Sequence, residues 1–248
     1  MRNHTLLVAA LVLLSGCGGE IPANSPGETP DSVTPSGMSE TSIEPLEVAN
    51  THGSTLSAES YSTNHTTRVT FTNGTVYAEI TRSGTVVDGD HYLIAVEDRG
   101  SRAPTGKGPR VAYYAADETV QKLTVGWNGN RSVSPVRGDL PSPIQRFGFS
   151  DDDRIYQLLV SANETRVTPN GAGVETEIGL SGAEPLNFPL VSNRSSANVI
   201  LRVSSEGVVT ELVVSYTATV GGEPVRVQTV VRYEEIGTAT VERPDWVG

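Results

Sequence analysis

Few side chains in this sequence are spaced for familiar chemistry. After the N-terminal segment the histidines are His52, His65 and His91, with no His-Glu-x-x-His pattern to set two imidazoles on one helix face. They are read as solvated or capping residues. Gly179-Leu180-Ser181-Gly182 lacks the glycine spacing of a nucleophile elbow, and Gly106-Lys107-Gly108 lacks the rest of a phosphate-cradling loop. Asp151-Asp152-Asp153 and Asp88-Gly89-Asp90 offer hard oxygen ligands but neither the alternation nor the closing glutamate of a calcium loop, so both read as solvated acidic turns. The expectation is a protein with no catalytic residues, no metal and no cofactor.

Charge narrows the partners. Asp and Glu total 29 against 18 Lys and Arg, a net charge of -11, and no basic cluster could follow a phosphate backbone. Nucleic acid is therefore not expected. Lys107 and Lys122 are the only lysines, and arginine supplies the remaining cations. A surface so acidic and poor in lysine resembles those of proteins from salt-loving archaea, where dense salt screens carboxylate repulsion. An ordinary acidic extracellular protein is the alternative.

The one residue with a specific chemical context is the single cysteine. Met1 to Gly16 has Arg2 near its start, an apolar run from Leu6 to Leu14 and small residues after it, the pattern of a cleaved leader. The run is shorter than the roughly 20 residues a permanent span requires. Leu14-Ser15-Gly16-Cys17 resembles the lipobox of bacterial and archaeal lipoproteins, which implies cleavage after Gly16 and a lipid on Cys17. Arg2-Asn3 departs from a twin-arginine signal, which implies the general secretory route. From 17 to 44 the chain is rich in Gly, Pro, Ser, Thr and acidic residues and reads as a disordered linker. The membrane is thus an expected partner, with the domain on the extracellular face.

Residues 45–248 read as one β-rich domain. Pro45 opens a helical pattern through Leu46, Ala49, Gly53 and Leu56, with Glu47 in its first turn. Then the period changes to two. Val69 and Phe71 line one face of a strand, Asn73-Gly74 marks a hairpin turn, and Val76, Ala78 and Ile80 continue that face. Strands follow at 91–97, 110–116 and 119–127. The proline-broken run from Leu140 to Phe149 reads as a lid or short helix, and Arg154 to Val160 as helix or strand. Strands are expected again at 175–180, 197–204, 208–220 and 224–235, with a last short one at Thr238 to Val241. These elements predict a mainly β fold, a strongly curved antiparallel sheet or open half-barrel with one or two short helices as lid.

The closing residues Tyr233-x-x-Ile236-Gly237-Thr238 and Val241-x-x-Pro244-x-Trp246, with Leu56 to Tyr61 at the entry, resemble uncharacterised haloarchaeal surface lipoproteins. Their order of elements is in turn similar in topology to the LolA/LppX group of lipoprotein and lipid carriers. That resemblance implies a sheet wrapped round an apolar hollow that takes acyl chains. Here the ligand-facing residues would be Val69, Phe71, Val76, Ile80, Leu201, Val203, Leu212, Val214 and Val227, with Leu56, Ile144, Phe147 and Phe149 as the lid. The same residues could instead pack together as a dry core. The expected function is accordingly a non-enzymatic surface lipoprotein that binds a lipid or other hydrophobic ligand. The alternative is an envelope module with a filled core that engages a protein partner. Sequons at Asn64, Asn73, Asn130, Asn163 and Asn193 are candidates for glycosylation.

Substituting Cys17→Ser should release the protein from the membrane fraction into the medium of its host, read by immunoblot of fractionated cells. Retention of the variant at the wild-type level would remove the lipid anchor from the account.

Overall fold

A computed structural model describes residues 35–39, 42–101, 107–116, 119–126, 128–136, 149–168 and 175–247. Cys17, Ile144 and Phe147 lie outside these residues, as do the leader and most of the linker. The described chain is mainly β. Eleven antiparallel strands make one sheet that does not close, with two short helices on one of its faces.

The strands are β1 (Tyr61–Phe71), β2 (Val76–Val86), β3 (Tyr92–Arg99), β4 (Lys107–Ala116), β5 (Thr119–Val125), β6 (Arg131–Pro135), β7 (Glu164–Thr168), β8 (Thr176–Ala183), β9 (Ala197–Val203), β10 (Val209–Val220) and β11 (Glu223–Glu234). Their order across the sheet is β6-β5-β4-β3-β2-β1-β11-β10-β9-β8-β7. Two meanders therefore meet at the centre, where β1 pairs with β11 from Ser62↔Glu234 to Phe71↔Val225. Each meander follows from local pairing, because consecutive strands joined by short turns need no crossover. The single long connection leaves the β6 edge and reaches the β7 edge. The helix α2 (Asp152–Ser161) lies on it, beside α1 (Pro45–Ala58). Both edges are five residues long, and their charged or proline ends, Arg131 and Pro135 on β6 and Glu164 on β7, discourage further pairing.

Alternation sets the buried face. On β9, Ala197, Val199, Leu201 and Val203 are buried while Asn198, Ile200 and Arg202 are exposed. The same parity continues through Leu212 and Val214 on β10, Val225 and Val227 on β11, Tyr61, Thr63, His65 and Val69 on β1, and Ala78 and Gly84 on β2. This inner face meets Val48, Ala49, His52 and Leu56 of α1 and Ile155, Leu158 and Leu159 of α2. Ahead of α1, a turn at residues 35–38 returns through a Met38↔Ile43 bridge, and both side chains pack on the core.

Several expectations change. The segment from Asp152 is a helix, which the periodicity of Arg154 to Val160 leaves open. On α1, Leu46 is exposed and Gly53 faces the second helix, where an added Cβ would stand 3.0 Å from Asp152 Cβ. The hairpin β1–β2 contains a bulge: Val69 pairs with Ala78 but Thr70 pairs with Val76. One extra residue inverts the alternation beyond it, so Val76 shares the face of Thr70, and Tyr77 meets Phe71 with ring centroids 5.7 Å apart. No strand forms over Thr238 to Val241. Glu235 and Gly237 take left-handed backbone conformations, φ 54° and 76°, that turn the chain off the sheet after β11.

Gly84 shows how tightly the connection is seated. Phe149, wholly buried, lies so close over it that a Cβ at position 84 would meet the ring at 3.3 Å. Gly84→Val should destabilise the fold by about 1 to 3 kcal/mol, the usual cost of overpacking, read as a lowered denaturation midpoint. An unchanged midpoint would mean that Phe149 does not anchor this segment.

Candidate functional site

Between the helices and the inner face lies a cluster of buried polar groups. Its centre is Asp151, at the N-terminal boundary of α2, with φ 50° and ψ 8°. Asp tolerates that conformation better than most residues. The carboxylate makes no cap for the helix but turns inward, so that only 5% of the residue is exposed. Tyr233 of β11 donates to its Oδ2 at 3.2 Å, and Arg154, one helical turn later, reaches its Oδ1 at 2.5 Å. His65 Nδ1 lies 3.3 Å from Oδ2, yet neither ring nitrogen of His65 has hydrogen-bond geometry with any partner. The relation to Asp151 is proximity rather than a formed bond.

The sequence reads Asp151 and the histidines as solvated, and for Asp151, His52 and His65 the structure corrects that. His52 is completely buried. Its Nε2 donates to the Ser150 carbonyl at 2.8 Å, its Nδ1 has no partner, and its ring stands edge-on to Tyr233 at 4.8 Å. His65 is 4% exposed, with Phe149 at 5.3 Å and Tyr233 at 6.0 Å between ring centroids. A signal for both was present. His52 follows Val48 and precedes Leu56 by four residues on the apolar stripe of α1, and His65 shares the parity of Tyr61 and Val69.

Burial dominates the electrostatics. It pushes the His52 pKa down to about 4, against the opposing effects of the Ser150 carbonyl and Asp152. It takes His65 down to about 3, helped by the cations of Arg154 and Arg82. Asp151 is raised to about 6 by burial although Arg154, Tyr233 and Arg82 all favour its charged form. Tyr61 is raised to about 12 by burial, with Asp151 adding to it, and Tyr233 is raised well above its ordinary value, first by burial and then by Asp151. Arg82, paired across strands with His65, is half-buried, and its pKa is lowered first by burial and then by Arg154. The cluster pins the connection and its helix to the central strands.

The apolar residues expected to face a ligand divide into two groups. Leu56, Val69, Phe149, Leu201, Val203, Leu212, Val214 and Val227 are each at most 4% exposed and belong to one packed cluster on the inner face. Phe71 and Ile80 are half-buried, and Val76 sits on the outer face. Beyond β1, the inner face passes to β3, β4 and β5, where Val111 and Val120 are partly buried against the core. Lys122, opposite Tyr113, holds its ammonium 5.8 Å above that ring. Sequence reasoning did not find Arg82 or Lys122 as inner-face residues, because a charged residue in a strand reads as solvent-facing.

The sequon asparagines Asn64, Asn73, Asn130, Asn163 and Asn193 are all exposed, Asn163 lying beside Gly182. Among the described residues no group of three or more His, Cys, Asp or Glu is arranged to hold a metal ion, and no helix is long and apolar enough to cross a membrane.

No family model matches this sequence, and no curated protein matches it. Among the solved structures that resemble it are two from bacteria. A LolA superfamily protein from Nitrosomonas europaea is 9% identical, with a TM-score of 0.26, over 81% of this chain and 95% of that one. A putative outer membrane lipoprotein-sorting protein domain from Vibrio parahaemolyticus is 8% identical, also with a TM-score of 0.26, over 82% and 94%. Likenesses this low carry no argument about ligand or activity. The class of protein is defined by its own architecture, an open eleven-stranded antiparallel sheet with a two-helix cover.

The buried cluster makes stability depend on pH. An unfolded chain takes up protons on His52 and His65 near pH 6.5, which the folded chain refuses until about pH 4 and 3. That stability is complete above pH 6.5 and is lost as pH falls toward those values. Asp151 works in the opposite sense, holding a proton in the folded state from about pH 6 down to its ordinary 3.8. The balance is about one extra proton on the unfolded chain, so acidification from pH 7 to 5 should cost roughly 2 kcal/mol. Urea denaturation at the two values checks this. In a His52→Leu, His65→Leu variant the remaining Asp151 should reverse the sign, and an unaltered pH profile would contradict the assignment.

Proposed function

We propose that this chain is a membrane-tethered, non-enzymatic binding protein that takes an apolar or amphiphilic, lipid-like ligand against the inner face of its sheet. The observation that carries this reading is the unequal cover of that face. The helices and Phe149 seal the side built from β1 and β8 to β11. Farther across, Ile80 on β2, Val111 on β4 and Val120 on β5 keep part of their surface in solvent beside the buried Ile94, Tyr113 and Ala115, as does Phe71 at the far end of β1. Apolar surface left beside a packed core is where an acyl chain gains most from leaving water, at about 0.8 kcal/mol per buried methylene. Arg82 and Lys122 lie on the same face and suit a negatively charged headgroup.

In this reading Val69, Leu201, Val203, Leu212, Val214 and Val227 form the bed of the site, and Leu56 and Phe149 belong to a cover that moves to admit a chain. Ile144 and Phe147, on the same connection, are proposed to complete that cover. The tether is the lipid proposed on Cys17, and its location would be the outer surface of the membrane.

A second reading is favoured by the dense packing of the same bed, which no ligand needs to fill. The protein would then be an envelope module with a filled core, and its partner another envelope protein. Native mass spectrometry of the mature protein from its own host, before and after organic extraction, separates the two. The proposal expects a removable mass that fragments as a lipid, reduced in an Ile80→Asp, Val111→Asp variant that retains its fold. A bare polypeptide, or one carrying only sugar, would leave the filled-core reading standing.

A further inference from the structure

The outer face of the central strands holds a groove of about 410 Å³ that the inner-face reading leaves unused. It runs across β11, β1, β2, β3 and β4, four inter-strand steps, or roughly 19 Å. Its floor is low along one row in register, Ser83, Ala95 and Ala112, and the next row runs through Ser62, Thr85 and Leu93. One wall is the C-terminal segment, which leaves the sheet after Gly237 and brings Pro244 and a half-buried Trp246 to the groove. Arg232 and Glu234 stand on the β11 side and Arg110 on the β4 side. Arg232 is engaged by Glu211 at 2.8 Å, whereas neither Glu234 nor Arg110 makes an ion pair among the described residues.

We propose that this groove is a carbohydrate-binding site. An extended shallow trough with one aromatic side wall and hydroxyl, carboxylate and guanidinium groups along its length matches a short run of pyranose rings. Each ring offers an apolar C–H face to an indole and a belt of hydroxyls that need paired donors and acceptors. The groove also contains Asn64, the asparagine of an Asn-His-Thr sequon, whose Oδ1 accepts the Thr66 hydroxyl at 3.0 Å. The sugar therefore has two sources with the same chemistry: a glycan attached to Asn64 that folds back along the groove, or a polysaccharide of the surroundings. The site does not depend on what the inner face binds.

The test uses the full chain made in a host that attaches no N-linked glycan. Isothermal titration with chitotriose and mannotriose should detect binding of at least one, weakened tenfold or more in Trp246→Ala and largely retained in Trp246→Phe, with thermal melting showing that both variants fold. For the attached source, protein from a glycosylating host is made in a Trp127→Phe background, so that Trp246 is the sole indole. Enzymatic removal of the glycan should then shift the Trp246 emission, and Asn64→Gln should abolish the shift. Binding by the unglycosylated chain assigns an external polysaccharide, and the emission shift alone assigns the attached glycan. Absence of both, or sugar binding that survives Trp246→Ala, overturns the site, as does a protein captured from the envelope that competes with no sugar.

Discussion

A sheet of eleven strands with one apolar face must have that face covered, and the order of its strands leaves one connection to do most of the covering. All eleven strands lie next to a sequence neighbour on at least one side. Only the passage from the β6 edge to the β7 edge traverses the sheet. Its position is set where Phe149 seats over Gly84 and Asp151 turns inward to Tyr233. Asp151 is costly to bury, as its raised pKa shows, and Arg154 and Tyr233 offset that cost. Apolar contacts supply the adhesion, and the buried carboxylate supplies one geometry in which its partners are satisfied. His52 on α1, bonded to the Ser150 carbonyl, ties the other helix to the same point.

The outer face obeys a different balance. Arg68 pairs with Glu79 across β1 and β2, while Glu211 of β10 bridges Arg202 of β9 and Arg232 of β11, each at 2.8 Å. Such exposed pairs contribute little apiece. They spend arginine, the main cation of a chain with two lysines, on sheet register, and leave the acidic excess to water and salt.

Much of this architecture was legible from residue types alone. The alternation of β9 and β11 survives, and that of β10 holds from Leu212 to Ala218 after an irregularity at Thr210, where Val209 pairs with Val203 but Glu211 with Arg202. The bulge at Tyr77 was not legible, because alternation continues to look regular on either side of an inserted residue and the cross-strand register alone reveals the slip. Three consecutive aspartates give no sign of which one turns inward. Only the left-handed backbone of Asp151 and the tyrosine waiting on a strand 82 residues later select it. The edge strands β6 and β7 escaped for a related reason: each is short and exposed, so neither carries a hydrophobic period. Arg82 and Lys122 were hidden because inner-face charge contradicts the pattern from which faces are read.

If α1 and α2 are a separable cover over an apolar face, held in place by the Asp151 cluster, an amphiphile that occupies that face must loosen them. Hydrogen–deuterium exchange of the mature protein, with and without a lysophospholipid below its micelle concentration, measures this. Faster exchange is expected in residues 45–58 and 149–161 when the amphiphile is present, with β9 to β11 unchanged. Exchange that is identical in both conditions, or that rises uniformly through helices and strands together, would contradict it.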